Sequence, residues 1–150
     1  MQVTRNAVAI PVVALVWAGV TIGGSLIAAP SKFQAASLTL AQTLEVGRAQ
    51  FFWLGVAESL LCAALIGALA LRPANARLRM GAPILVFGVQ WLIVMPFLDD
   101  RTVRRIAGEP VGESHLHLVF VLLEILKVAM LIAVGVAALR YTRDENETWR

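Results

Sequence analysis

The run over residues 115–139, HLHLVFVLLEILKVAMLIAVGVAAL, is long and apolar enough to cross a bilayer, yet it holds Glu124 and Lys127 well inside its length. A helix rises ~1.5 Å per residue and the hydrocarbon core is ~30 Å thick, so ~20 apolar residues make one crossing. A charge near the middle of that core costs roughly 2.5–3.5 kcal/mol on insertion scales. A carboxylate and an amine in such a place demand partners on other helices.

Other runs of the right length follow the same rule. Residues 7–29, 51–71 and 82–98 join 116–139 as four candidate spans, the third the shortest. The chain is 59% hydrophobic and only 15% charged over 150 residues, too little polar surface for a water-exposed domain of this size. The expected fold is all-α: an integral membrane four-helix bundle, with residues 1–150 forming a single four-span transmembrane domain. The net charge of +3 does not indicate a nucleic-acid partner, because the basic residues flank spans instead of forming one patch. The lone cysteine, Cys62, lies inside the second span and cannot form an intrachain disulfide or a thiolate metal cluster.

Taken in order, the chain opens on a short polar stretch with Arg5 before the first apolar run. That run exceeds the ~7–15 residues of a signal-peptide core, and Pro30 follows the best cleavage position, so it reads as a retained span. Gly19 and Gly23 form GxxxG, and Gly24 with Ala28 repeats the small-residue spacing. Such positions allow close helix approach, either inside the bundle or in a homo-oligomer. Pro30 is expected to end the span and Ser31 to cap a new helix. Over residues 31–46, Phe33, Ala36, Leu40 and Leu44 recur at helical spacing, which predicts a short amphipathic surface helix between spans one and two.

The connector after the second span, RPANARLRMG, has three arginines and no acid. Arg5, Arg72, Arg77, Arg79, Arg140, Arg143 and Arg150 fall on one side of the expected membrane. Lys32, Arg48, Arg101, Arg104 and Arg105 fall on the other. The bias predicts both termini on the cytoplasmic side of the cell's inner membrane. The tail over residues 140–150, with Trp149, reads as polar and frayed.

Because alternate spans run in opposite directions, depth can be counted from one face. Glu58 is seven residues from Phe51 and Glu124 seven from His117, so each carboxylate lies about 10 Å below the same interface. Gln90 is eight residues from Leu98 and Thr21 eight from Ala29, about 12 Å deep. Lys127, three residues beyond Glu124, shares its helix face. All four spans thus bring a polar side chain to nearly one level, where such groups turn inward and satisfy one another. One reading is an interhelical clamp, with Lys127 paired to Glu58 and Glu124 paired to Lys127 or Gln90. Two acids against one amine leave a charge over, however, and the second carboxylate must take a proton or meet something from outside the spans. That excess is what a cation, proton or small-ligand site would look like.

His115 and His117 stand with Glu113 as E-x-H-x-H, but two residues apart on a helix they point in different directions and cannot grip one metal. His117 shares the face of Glu124 and Lys127 and is placed at the way in. No nucleophile–base pair, phosphate loop, DNA-binding motif or metalloprotease helix occurs, and no cofactor or metal is expected. Asp99-Asp100 is read as a cap for a helix over 102–107. Trp53 suits the interfacial belt, while Trp17 and Trp91 are read as packing residues.

The segments GGSLIAAPSKF, VGRAQFFWLGVAE, PFLDDR and HLHLVFVLLEILK, in that order, resemble small bacterial four-span proteins grouped as a domain of unknown function. The resemblance covers roughly residues 19–130. It implies a four-helix membrane fold and carries no catalytic residues with it.

The leading expectation is a non-enzymatic membrane protein with an intramembrane polar pocket for a small ligand, cation or proton. Glu58 and Glu124 would bind charge, Lys127 would act as counter-charge, and Gln90, Thr21 and His117 would be the remaining pocket residues. The alternatives are an accessory subunit of a larger membrane complex, or a membrane enzyme using the two glutamates on a lipid or quinone.

Overall fold

Four helices in the computed structural model are long and apolar enough to cross a membrane: Val8–Gln34, Leu40–Ala70, Ala82–Ile106 and Leu116–Tyr141. Residues 2–70 and 72–147 are described, with side chains over 8–70 and 72–141. The side chains of Arg5 and Arg143, and all of Arg150 and Trp149, lie outside that set, as does Leu71. No strand occurs among the described residues.

The first span touches the second and fourth, and the third closes the ring against the same two. The turns at 35–39 and 107–115 mark one end of the bundle, here the mouth. The termini and the short helix Ala74–Met80 mark the other. Near the terminal end the interior is dry. Ile10, Ala14, Cys62, Leu65, Leu69, Leu131, Val134 and Ala138 form one buried cluster there, continuous with Trp17 and Phe87 above it.

Two spans are not regular α-helices. The first is π-helical over Ile22–Ala28 and the third over Gln90–Val94. In each, a carbonyl at the start of the wide turn accepts from five residues on: Ala29 N–H reaches Gly24 O, and Met95 N–H reaches Gln90 O. In each, a proline stands two residues past the stretch, Pro30 and Pro96. A proline inside a helix removes one N–H and crowds the carbonyl four residues back; widening the preceding turn relieves both. Pro30 therefore does not end the first helix, which runs on through Ala29–Ser31. Ser31 is no N-cap; its hydroxyl donates back to Ile27 O at 2.6 Å.

The separate surface helix expected over 31–46 is replaced by two unlike parts. Lys32–Gln34 is a single 3₁₀ turn, Ala35 is extended, and helix resumes at Leu40 as the start of the second span. A reciprocal cap fixes that start. Gln42 N–H donates to Thr39 Oγ1 at 3.3 Å, and Thr39 N–H donates to Gln42 Oε1 at 2.9 Å. This is the T-x-x-Q capping box, which satisfies two backbone donors at once. A stronger cap eight residues downstream decided where the helix begins.

Asp99 and Asp100 likewise do not cap a helix, because Met95–Ile106 runs through them. Asp99 instead accepts from Arg48 at 2.6 and 3.0 Å, tying the second span to the third at the mouth. Asp100 pairs with Arg104 one turn on, at 3.2 Å. The helix beginning at Leu116 continues to Glu147, so the tail is helical as far as it is described.

Candidate functional site

The polar side chains counted to one depth do meet. Thr21, Glu58, Gln90, Glu124 and Lys127 are all 0–1% exposed and lie in one network across the four spans. Its centre is the Lys127 ammonium, which reaches Glu58 Oε1 and Oε2 at 2.8 and 2.9 Å and Glu124 Oε2 at 2.9 Å. The Phe87 ring lies beneath it at 5.4 Å. Two of the ammonium's three donors hydrogen-bond the Glu58 oxygens, and the contact with Glu124 is an ion pair.

The two glutamates are not equivalent. Glu58 is saturated: Oε1 accepts from Trp17 Nε1 at 3.1 Å, from the Thr21 hydroxyl and from Lys127, while Oε2 accepts from Lys127 and from Trp91 Nε1 at 3.3 Å. Every other span thus sends a donor to this one carboxylate. Trp17 and Trp91, expected only to pack, are hydrogen-bond donors to the centre. Their signal was present in the sequence, since Trp17 lies one turn before Thr21 and Trp91 adjoins Gln90. Gly55 makes room for the second indole, because a Cβ there would overlap the Trp91 ring.

Glu124 is half satisfied. Its Oε2 accepts from Gln90 Nε2 at 2.5 Å and forms an ion pair with Lys127, and Gln90 Nε2 also approaches Phe120 O at 3.3 Å. Its Oε1 is buried with no hydrogen-bond partner, as are Gln90 Oε1 and the Ser25 hydroxyl. A buried polar atom left unpaired costs about 1–3 kcal/mol, more when charged. Glu124 Oε1 and Gln90 Oε1 stand near one level, with the Ser25 hydroxyl about one turn nearer the mouth.

Glu124 and Ser25 line a cavity of about 430 Å³ opening toward the mouth. Its wall is mostly apolar, with Leu26, Phe51, Leu98 and Phe120 among the lining residues, and Lys32, His117 and the Arg48–Asp99 pair higher up. An adjoining hollow of about 320 Å³ shares Phe33, Leu44, Leu98, Thr102 and His117 with it and adds Arg101 and Arg105. An apolar hollow with a few convergent polar groups is the usual form of a small-molecule site. His117 belongs to this wall and not to the buried network, while His115 is exposed just before the helix starts. Glu58, Gln90, Thr21 and Lys127 do not line the cavity, so Glu124 alone connects network to hollow.

Among the described residues, no group of three or more His, Cys, Asp or Glu side chains is arranged to hold a metal ion. No protein-family model, curated protein or solved structure matches this chain.

Proposed function

We propose that this is a non-enzymatic membrane protein that binds a small ligand, presenting a cationic or N–H-rich group to Glu124, through the cavity at the mouth. The observation that carries this reading is Glu124, which lines an apolar hollow at its deep end and has a buried carboxylate oxygen, Oε1, without a donor. An acceptor in such surroundings gains most from a charge-assisted hydrogen bond. Lys127 does not supply it: its ammonium hydrogen-bonds both Glu58 oxygens and pairs with Glu124 through Oε2. A proton or small cation is the simplest occupant; the size and apolar wall of the cavity favour an organic ammonium ion. The Glu58 cluster is the fixed side of the site: it holds Lys127, and Lys127 holds Glu124. The dry cluster toward the terminal end supports access from the mouth side alone. The arginine-rich, acid-free connector at 72–79 supports termini on the cytoplasmic side of the inner membrane, so the mouth faces outward.

The test is thermal stability in mild detergent across mono- and divalent cations and organic ammonium ions, for wild type, Glu124→Gln and Glu58→Gln. A ligand that binds only the folded state raises stability by mass action. The expected result is an ammonium ion that stabilises wild type by several degrees and has no effect on Glu124→Gln. Glu58→Gln should unfold at lower temperature with no ligand present. No response to any cation in wild type would contradict the reading.

A second reading, a subunit of a homo-oligomer or larger complex, has one observation behind it. Gly19 and Gly23 are exposed, and a Cβ at either would meet nothing within 4 Å, so the GxxxG face is not used in packing this chain. Cross-linking in native membranes tests this reading. A dimer that survives Gly19→Leu with Gly23→Leu would exclude this seam.

A further inference from the structure

Opposite charges stand at the two ends of the cavity. Glu124 lines the deep end, its Oε1 buried without a hydrogen-bond partner, and Lys32 stands on the wall nearer the mouth. The Lys32 ammonium has no carboxylate within ion-pair reach among the described residues. It is held over the rings of Phe33 and Phe51, 5.6 and 5.4 Å from their centroids. It also packs on Gly47, where a Cβ would collide with it. Ring faces attract a cation but accept no conventional hydrogen bond from it. Lys32 is thus placed by packing and left without a counter-charge, beside a cavity.

The spacing of the two charges can be counted along the helices. Lys32 Nζ lies beside Gly47, one turn above Phe51; Phe51 meets Phe120 edge-on at 5.7 Å, and Glu124 is one turn below Phe120. Two four-residue steps at 1.5 Å separate the levels by about 12 Å. Two charge-assisted contacts of about 2.8 Å, with the reach of the Glu124 side chain, leave at most about 6 Å along the helix axis for the ligand.

We propose that the ligand is a zwitterion, its ammonium donating to Glu124 and Ser25 and its acidic group, at most about 6 Å away, bound by Lys32. This rests on the reading of Glu124 as the ligand-binding group and adds the second charge. Arg101 and Arg105 in the adjoining hollow draw the acidic end outward, so the ammonium enters first. Two sources carry this chemistry, a free ω-amino acid and the headgroup of an aminophospholipid.

The experiment measures ligand-dependent thermal stability of the full chain in mild detergent, with hexylamine, hexanoate, aminobutyrate and aminohexanoate as probes. One amino acid should act at concentrations about tenfold below hexylamine, as one added charged contact provides. In Lys32→Met that preference should vanish while the hexylamine response persists, and Lys32→Arg should restore it. Equal potency of hexylamine and both amino acids in wild type overturns the zwitterion and leaves an amine site standing. Silence toward hexylamine as well overturns the Glu124 reading itself. Nanodiscs separate the sources. If the headgroup is the ligand, replacing phosphatidylcholine with phosphatidylethanolamine stabilises wild type but not Lys32→Met, and weakens the aminohexanoate response. If the free amino acid is the ligand, the exchange changes neither.

Discussion

Lys127 joins two carboxylates, hydrogen-bonded to both oxygens of Glu58 and ion-paired with Glu124, and this decides how the site behaves when single residues are changed. Breaking a buried pair by removing one partner is strongly destabilising, about 3–5 kcal/mol, because the other charge is left uncompensated. Lys127→Met strands two glutamates and should fall at the upper end of that range. Glu58→Gln removes one of those charges beforehand, so the double variant should lose clearly less than the sum of the singles. Denaturation of all four proteins in detergent measures the coupling, and simple additivity would mean that the two groups do not meet. Depth counting brought these residues together because helical rise is uniform enough over seven or eight residues. It could not show that Glu58 is saturated while Glu124 keeps a free oxygen. That difference comes from Lys127, which bonds both oxygens of Glu58 but meets only one of Glu124, and from the indoles of Trp17 and Trp91, whose donors are as easily read as packing.

At the scale of the element, the π-helical turns before Pro30 and Pro96 set which faces the outer halves of spans one and three present. A π turn winds one residue more than an α turn into the same circle, so removing one residue returns it to α-helical winding and leaves everything beyond facing nearly the same way. Leu92 is exposed and lies within the second such turn. Arg48→Cys with Asp99→Cys should be joined by a flexible bifunctional thiol reagent in a chain of normal length, since the arginine and aspartate side chains they replace bridge the gap between the two helices. The cross-link should survive when Leu92 is also deleted; its loss would show that the π turn does not carry the one extra residue. Prolines marked both positions in the sequence, but a proline reads first as a stop, and that reading misplaced the end of the first helix. The capping box at Thr39–Gln42 was equally visible and was outweighed by apolar spacing that began at Phe33. Close packing inside a span gives a further expectation. Gly55→Ala forces the Trp91 ring away from Glu58 and should cost about 1–3 kcal/mol, the usual range for overpacking, read as a lower midpoint of thermal unfolding.

Across the whole molecule the bundle divides into a dry half and a hollow half, with the charged network as the boundary. Four spans and their topology were legible from apolar run lengths, because the bilayer fixes length and composition together. The hollow was not legible, since it depends on Lys32 folding back over Phe51 and on the 3₁₀ turn that puts it there. Such a division predicts one-sided access. Cys62 lies in the dry cluster, so polar thiol reagents should not reach it from either face. Ser25, on the cavity wall, should be reachable from the mouth.

The most direct measurement places a cysteine at Ser25 in a Cys62→Ser background and follows its modification by a cationic thiol reagent in sealed vesicles of known orientation. The expected result is rapid modification from the mouth face alone, slowed by hexylamine when Glu124 is present and unaffected by it in Glu124→Gln. Modification from the terminal face, or a rate that hexylamine leaves unchanged in the protein with Glu124 intact, would contradict a one-sided cavity ending on a ligand-binding carboxylate.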